Sequence, residues 1–478
     1  MTFLKRHFVA VVFGAVTVLT APCAIADTDP VRLSAEQMRL AADLNMRNGQ
    51  IDVALSLTDA LLKRDPEDVT ALMIRAFAMR AKAEYAAAQK AARAAWQASK
   101  TDDQKYAAAL LMAQALSSDG KRTRAQLWLR RAGQVAPSKA HEARAAQDFR
   151  YVQQRNPWQT NLSFTLQPSS NINNGSSRDS SSLYYVLDPI FGGNELTLGA
   201  ASKALSGLET GFNVQSRYRF FQTERTAHDL RMGLSYRTYQ LSSSSKKDLA
   251  AEDADRIGRG QSPLGLEGSD FAFGTVQLGY GFKKMREDQR GEFSATADIG
   301  QSFYGGARYN SFLRASVGQS YYLNPQSKLS FGLNADIRNA QRGSDQEKLT
   351  LSAGLSKKLA DQNGLYLGIS ASALASDTAS YEYEEVSLRS GYLLGREVMG
   401  TSLQFGLSTS FRNYDVSPHD KSGRQDFQIS ADLTATFKNI DYMGFNPKVS
   451  LSASKTDSNI GLYDVNTMGL SIGIASSF

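Results

Sequence analysis

The last eleven residues of this chain, MGLSIGIASSF (468–478), decide its fold. Apolar residues occupy alternate positions over most of the stretch, and small or polar residues lie between them. This pattern is typical of a β-strand whose two faces meet different surroundings. The segment ends on an aromatic residue, Phe478. A strand with one face toward lipid and the other toward water indicates an outer-membrane β-barrel.

The beginning of the chain predicts export from the cytoplasm. Lys5 and Arg6 precede an apolar run over residues 8–19, and Ala-Ile-Ala (24–26) follows it. This order is typical of a cleaved secretory signal, which we assign to residues 1–26.

The chain has a single cysteine, Cys23. It allows the alternative of an acylated lipoprotein cysteine, although Pro22 directly before it suits such a cleavage site poorly. Cleavage after Ala26 leaves a mature chain without cysteine. Disulfides, thiolate metal sites and cysteine nucleophiles are then excluded from the mature protein.

The sequence also lacks the other motifs that carry chemistry. Its four histidines show no metal-ligand spacing. There is no nucleophile elbow, no phosphate-binding loop and no dinucleotide-binding glycine fingerprint between a strand and a helix. We therefore predict no catalytic residue, no metal site and no cofactor, and we do not expect an enzyme.

Composition and hydrophobic period change together near residues 156–158. Residues 27–157 are rich in alanine and have a helical period, whereas residues 158–478 are rich in Ser, Gly, Tyr and Phe and have a period of two. These bounds predict a periplasmic helical domain followed by an outer-membrane barrel.

The net charge differs between the same two regions. The net charge is +6 over residues 27–157 and −1 over residues 158–478. The basic excess could steer an acidic client or meet the anionic headgroups of outer-membrane lipid, but a solvated helix face is the commoner explanation. Nucleic-acid binding is implausible in this compartment.

An internal repeat predicts the fold of the helical region. Three turn positions, Gly49, Ala83 and Gly120, stand 34 and 37 residues apart. Aligning them also aligns small or apolar positions in the helices that follow: Ala54, Ala88 and Ala125, then Leu61, Ala95 and Ala132. The pattern resembles the tetratricopeptide repeat, in which a turn residue separates two antiparallel helices. An alanine-rich bundle is the alternative, because Ala83 and Lys100 depart from the residues that the repeat prefers.

The second region predicts fourteen amphipathic antiparallel strands, each with an apolar row and a polar row. We expect them near residues 158–168, 207–220, 225–240, 269–282, 290–304, 307–323, 327–341, 346–359, 363–377, 381–394, 400–413, 424–438, 445–457 and 464–478. A water-filled lumen tolerates charges on the inner row, whereas a dry soluble sandwich does not.

An even strand count returns the C-terminus to the side of the helical domain. Short connections near residues 324–326 and 360–362 are then expected at the periplasmic rim. Longer ones near residues 168–206, 241–268 and 415–423 are expected outside. Short inner turns and long outer loops are typical of these barrels.

In this arrangement the chain resembles the surface lipoprotein assembly modifiers, or Slam proteins, the outer-membrane component of type XI secretion. The resemblance rests on the secretion signal, the short tetratricopeptide-like domain, the fourteen strands and an asparagine-rich segment after the first strand, SSNINNG (169–175).

The resemblance implies an outer-membrane translocator. Its clients would be surface lipoproteins or related soluble secreted proteins. The helical domain would engage the client, or receive it from a periplasmic chaperone, and the barrel would provide the passage. The protein's own last strand, with Gly469, Leu470, Ile472, Ile474 and Phe478, would be the signal read by the barrel-assembly machinery.

Two other classes stay open. An exopolysaccharide exporter also joins tetratricopeptide repeats to an outer-membrane barrel. The inner rows here mix both charge signs, unlike a simple polycation or polyanion track: Arg217, Arg219, Arg231 and Arg237 with Asp298, Asp336, Asp432 and Glu385. An enzyme built on the barrel is the second class, but neither His228, which stands beside Asp229, nor His419 has a readable nucleophile partner.

Overall fold

The computed structural model describes residues 32–476, apart from 183, 188, 189 and 191. The predicted signal segment, residues 1–26, and Phe478 lie outside the described residues. The chain forms two parts, a helical stack and a closed barrel.

Seven helices build the first part. They are α1 (Ala35–Arg47), α2 (Ile51–Arg64), α3 (Val69–Ala81), α4 (Tyr85–Ala98), α5 (Asp102–Ser118), α6 (Arg122–Gln134) and α7 (Lys139–Arg155). No helix among the described residues is long and apolar enough to cross a membrane.

The helices alternate between two kinds of beginning. The side chains of Ser34, Asp68, Thr101 and Ser138 cap the N-termini of α1, α3, α5 and α7. Helices α2, α4 and α6 instead follow turn residues with left-handed backbone: Gly49 (φ 76°), Ala83 (φ 62°) and Gly120 (φ 73°). This alternation confirms the predicted two-helix, tetratricopeptide-like repeat.

The aligned small positions form the core of the stack. Ala54, Ala88 and Ala125 are fully buried, and Leu61, Ala95 and Ala132 are almost fully buried. Alanine lets the paired helices approach closely. The larger rings fill the second half of the stack, where Trp96 meets Trp128 edge to face with centroids 5.4 Å apart.

Fourteen antiparallel strands close into the barrel, as predicted. They are β1 (Trp158–Ser169), β2 (Gly207–Gln222), β3 (Thr226–Leu241), β4 (Phe273–Met285), β5 (Gly291–Tyr304), β6 (Ala307–Asn324), β7 (Ser327–Ala340), β8 (Gln346–Lys358), β9 (Gly364–Ser376), β10 (Tyr383–Leu393), β11 (Thr401–Tyr414), β12 (Arg424–Phe437), β13 (Phe445–Ser458) and β14 (Val465–Ser476). Each strand pairs with the next in sequence, and β1 meets β14.

The fourth strand begins later than its sequence predicts. We expected it from residue 269, but Gly268–Phe271 forms a 3₁₀ turn and β4 starts at Phe273. The loop backbone packs tightly on β3 at this point, because a Cβ on Gly268 would lie 2.1 Å from the Tyr239 carbonyl oxygen. Residues before Phe273 therefore belong to the outer cap.

The described parts of the two long outer loops contact one another. The β3–β4 loop contains a helix that the sequence analysis did not predict, α8 (Ser243–Gly258). Its Leu249 packs with Leu205 and Leu241 in a small apolar cluster. The Glu252 carboxylate also accepts a hydrogen bond from the Ala201 amide in the β1–β2 loop, at 2.9 Å. Together the two loops cap the outer end of the barrel beside β1 to β4.

Candidate functional site

The barrel wall has the two faces that its alternation predicts. On β14, Met468, Leu470, Ile472 and Ile474 project outward with 41–60% of their surface exposed. Gly469, between the first two, is buried on the other face. The outward row is apolar and the inner row is small or polar, which is the arrangement of a barrel wall in lipid.

Charged side chains of the inner rows are paired with one another near the periplasmic half of β2 and β3. Asp229, almost fully buried, accepts hydrogen bonds from Arg219 Nε at 2.8 Å and Nη2 at 3.2 Å. Arg217 Nη1 lies 3.6 Å from the same carboxylate. One buried carboxylate is thus shared by two guanidinium groups, and the cluster keeps a net positive charge.

A second pair crosses an intervening strand. Arg231 on β3 lies 3.3 Å from Asp298 on β5, and Gly279 on β4 stands between them in register. A Cβ on Gly279 would lie 2.0 Å from Asp298 Oδ1. The absence of a side chain at Gly279 is therefore what lets the two charges meet.

Further carboxylates of the inner rows are shared in the same way. Asp336 accepts hydrogen bonds from Arg314 Nη2 at 2.9 Å and from Arg338 Nε at 3.0 Å. Glu385 pairs with Arg412.

Two other predicted charges of the inner rows are placed differently. Arg237 stacks over the ring of Phe273, and Asp432 lies against Gly406. The lumen wall therefore carries charges of both signs in contact with one another, rather than a track of one sign. Arg314 was missed from sequence, although it stands directly opposite Asp336.

The two histidines of the barrel contact aromatic side chains. His228 Nδ1 lies 2.7 Å from the Tyr280 hydroxyl, whereas Asp229 points to the opposite face of the strand and binds Arg219. His419 stacks on Tyr184 in the outer loops. Within the described part of the chain, no group of three or more His, Cys, Asp or Glu residues is arranged to hold a metal ion.

The asparagine-rich segment after β1 is folded tightly. The Asn171 side chain donates to the Gly175 carbonyl at 2.8 Å and accepts from the Gly175 amide at 2.9 Å. Asn173 donates to the carbonyl of Lys203 at 2.8 Å and accepts from the amide of Leu205 at 2.9 Å. These amide side chains hold the beginning of the loop against its end, so the segment closes the outer side of β1.

The helical domain is attached to the barrel's periplasmic rim by a buried arginine. Arg130 of α6 donates from Nη1 to the carbonyl oxygens of Met443 (2.9 Å) and Gly444 (3.1 Å) in the β12–β13 turn. Its guanidinium carbon lies 4.2 Å from the ring centroid of Phe445 and 4.7 Å from that of Phe149. Burial lowers the pKa of Arg130 from its ordinary value, while Asp441 acts in the opposite direction.

A second attachment lies where the chain enters the barrel. Asn156 is buried between α7 and β1, donates to Thr123 Oγ1 at 3.0 Å and accepts from the Trp158 amide at 3.2 Å. The Gln134 side chain of α6 also accepts from the Met443 amide. This junction cannot be predicted from the sequence, because no motif distinguishes Arg130 from the other arginines of the helices. The helical domain therefore contacts the rim at two places, the start of β1 and the β12–β13 turn.

A closed fourteen-strand barrel with an apolar outer face, joined to a tetratricopeptide-like stack at its rim, defines an outer-membrane barrel protein with a periplasmic helical domain. Residues 255–478 match the model of a family described as surface lipoprotein assembly modifier. The match confirms the family resemblance predicted from the sequence and covers most of the barrel.

Solved structures match the two parts separately. The helical part is similar to the type III secretion translocator chaperone SycD of Yersinia enterocolitica, at 17% identity over 26% of this chain and 88% of that one, with a TM-score of 0.24. The barrel is similar to an outer membrane channel of Pseudomonas putida F1, at 8% identity over 66% of this chain and 95% of that one, with a TM-score of 0.31.

A bacterial polysaccharide outer membrane secretin also matches, at 7% identity over 66% of this chain and 98% of that one, with a TM-score of 0.32. No curated protein matches the chain. At these identities and TM-scores we draw no function from the solved structures.

Proposed function

We propose that this protein moves client proteins across the outer membrane to the cell surface. The family match over the barrel supports surface lipoproteins, or related soluble secreted proteins, as the clients. The main support for this proposal is the junction at Arg130. This junction holds the helical domain at the periplasmic rim of the barrel. A client bound by the helices would be held next to the wall that it has to pass.

In this proposal residues 27–157 form the periplasmic receiving domain. Tetratricopeptide-like stacks bind extended segments of other proteins in a concave groove. The helices would engage the client directly or accept it from a periplasmic chaperone. The net charge of +6 on this region would favour an acidic client, or contact with anionic outer-membrane lipid.

Residues 158–478 would then provide the passage. Arginines and carboxylates are mixed along the lumen wall, which suits chains of varied sequence better than a uniformly charged polymer. No step requires a residue acting by chemistry, so client folding outside the cell, or handover from a chaperone, would drive the transfer.

The last strand has a separate proposed role in the protein's own assembly. We propose that Gly469, Leu470, Ile472, Ile474 and Phe478 form the signal that the barrel-assembly machinery reads. The alternation within β14 supports this role, because Leu470, Ile472 and Ile474 form one outward apolar row and Gly469 lies on the opposite face.

Surface proteolysis of intact cells tests the function. Proteins cleaved by added protease are compared between a strain lacking this gene and the same strain carrying it again. We expect one or a few lipoproteins to disappear from the cleaved set while staying at full level inside the cell, and to return with the gene. If the deletion strain shows unchanged cleavage of surface proteins but loses its surface polysaccharide, the protein is an exopolysaccharide exporter instead.

A further inference from the structure

One part of the lumen wall departs from the mixed charge pattern. A pocket of about 630 Å³ lies between β6 and β12, beside the periplasmic turns at residues 324–326 and 360–362. Tyr366 of β9 lines it, and the neighbouring Leu367 is 44% exposed on the outer face of the barrel. Because successive side chains of a strand point to opposite faces, Tyr366 faces the lumen. We call this space the mouth pocket.

The strand register places three cations of the mouth pocket around Tyr366. Lys328 of β7 and Tyr366 pair with the same residue of β8, and Lys358 follows two residues later on that strand. Arg389 of β10 pairs with Gly368, which lies two residues after Tyr366 on β9. All three cations therefore line one pocket within two strands of the tyrosine.

Within the described part of the chain, these three cations have no carboxylate partner. Lys328 Nζ instead lies 5.6 Å from the ring centroid of Tyr322. Asp432 also lines the pocket, but it lies against β11, where a Cβ on Gly406 would be 2.2 Å from Asp432 Oδ1. Farther out on β7, by contrast, Asp336 is shared by two arginines. Unpaired positive charges facing a water-filled lumen attract anionic groups.

Glycines keep the wall of the mouth pocket low around Tyr366. A Cβ on Gly368 would lie 2.7 Å from the Tyr366 hydroxyl oxygen, and a Cβ on Gly354 would lie 3.2 Å from it. A Cβ on Gly391 would lie 3.7 Å from Tyr366 Cβ. The ring therefore lies along the wall over neighbouring glycines, which leaves space for a ligand between the cations.

We propose that the mouth pocket binds an acidic segment of the transported protein as that protein enters the barrel. The inference rests on the proposed function. Lysine and arginine form charge-assisted hydrogen bonds with carboxylates, and the volume of the pocket suits several side chains rather than a single small ion. The pocket also reaches β12, the strand that leads into the turn held by Arg130. A chain released by the helical domain is therefore close to it.

Photo-crosslinking of a designed peptide tests the pocket directly. Tyr322, which lines the pocket, is replaced by benzoylphenylalanine in the purified full-length protein. A crosslink at this position does not report peptide bound by the basic helical domain. The probe is a peptide of alternating Glu and Ser, and the same peptide with Gln in place of Glu is the neutral control. We expect saturable crosslinking by the acidic peptide alone.

Two results of this experiment would overturn the proposal. One is equal labelling by the acidic and the neutral peptide. The other is equal labelling by the acidic peptide when the crosslinker is placed at Ser163 of β1, on the opposite wall of the barrel.

A charge-removal series tests the three cations. The pocket variant combines Lys328→Gln, Lys358→Gln and Arg389→Gln. The control variant removes the same charge from the outer loops: Lys246→Gln, Lys247→Gln and Lys421→Gln. The peptide concentration for half-maximal crosslinking should rise by at least about tenfold in the pocket variant, because hydrogen bonds to charged groups are lost, and stay unchanged in the control. Equal values in the two variants would contradict the inference.

Folding of the variants is checked by heat-dependent gel migration. If the combined pocket variant does not fold, its three single substitutions serve the same test, each with a smaller expected rise. The charge-preserving variant, Lys328→Arg with Lys358→Arg and Arg389→Lys, should crosslink the acidic peptide as the unchanged protein does. Loss of crosslinking in this variant would show that the positive charge is not what binds.

Surface display separates this inference from the proposed function. Display of the proteins lost from the surface of the deletion strain should fall in the pocket variant and persist in the control variant. If display does not depend on this gene at all, the proposed function is wrong, whatever the peptide does. If display depends on the gene but is unchanged in a folded pocket variant, the function stands and the mouth pocket is not the binding site of the client.

Discussion

Arg130 is the residue that joins the two parts of the molecule, and its removal gives the clearest prediction at the residue scale. Arg130→Ala loses two hydrogen bonds to carbonyl oxygens and two ring contacts, so we expect docking to weaken by roughly 2–4 kcal/mol. Protease should then cut the 438–444 turn faster in the purified full-length protein. Arg131→Ala is the matched control, because Arg131 stacks on Trp128 within the helical domain. Equal cleavage in both variants would contradict the role of Arg130.

Ala83 carries a second prediction at this scale. It has left-handed backbone at a position where the neighbouring repeats have Gly49 and Gly120. Ala83→Gly should stabilise the helical domain by roughly 0.5–1 kcal/mol, because the Cβ strain of this conformation is removed. The melting temperature of the helical signal at 222 nm, measured by circular dichroism on the full chain, should rise. Gly120→Ala should lower this melting temperature. A lower melting temperature in both variants would show that Ala83 is not strained.

The third prediction at the residue scale concerns Gly279. Gly279→Ala places a methyl group against Asp298 and displaces it from Arg231, leaving charges unpaired in the wall. We expect less folded barrel on a heat-modifiability gel. Gly391→Ala is the control, since the nearest atom to its Cβ would be 3.7 Å away. Normal folding of Gly279→Ala would show that the Arg231–Asp298 pair is dispensable.

At the scale of elements, the seam between β1 and β14 should be less protected than the rest of the described barrel backbone. Pro168 has no amide hydrogen, so one hydrogen bond is missing between the pairs Leu166–Ile472 and Ser169–Gly469. Amide exchange measured in lipid nanodiscs should be faster at Leu166 and Ser170 than over β7 (Ser327–Ala340), which is paired on both sides. Equal protection at the seam and in β7 would contradict this prediction.

The sequence predicted most elements because their patterns are local. Alternation located the strands, and the turn positions 49, 83 and 120 located the helix pairs. The start of β4 was misplaced because residues 269–272 are held by contacts with β3, which no local pattern encodes. The helix α8 was missed although Ser242, its N-cap, precedes a run of good helix formers. A capping search within the long loop would have found it.

At the scale of the whole molecule, the architecture and the family resemblance could be predicted from the sequence, but the relation between the two parts could not. The lumen charges were identified individually, yet their pairing depends on register, as between Arg314 and Asp336. The junction at Arg130 and the closure of β1 on β14 depend on contacts between residues more than 300 positions apart. Such contacts leave no trace in the local periodicity of either segment.

Reconstitution tests the central claim, transport by this chain, most directly. The purified full-length protein is inserted into liposomes with its helical domain outside. The lipoprotein lost most strongly from the surface of the deletion strain is added unfolded, with a periplasmic chaperone. We predict that this lipoprotein becomes protected from external protease, and that detergent abolishes the protection. A folded barrel that leaves the lipoprotein fully digestible would contradict the account.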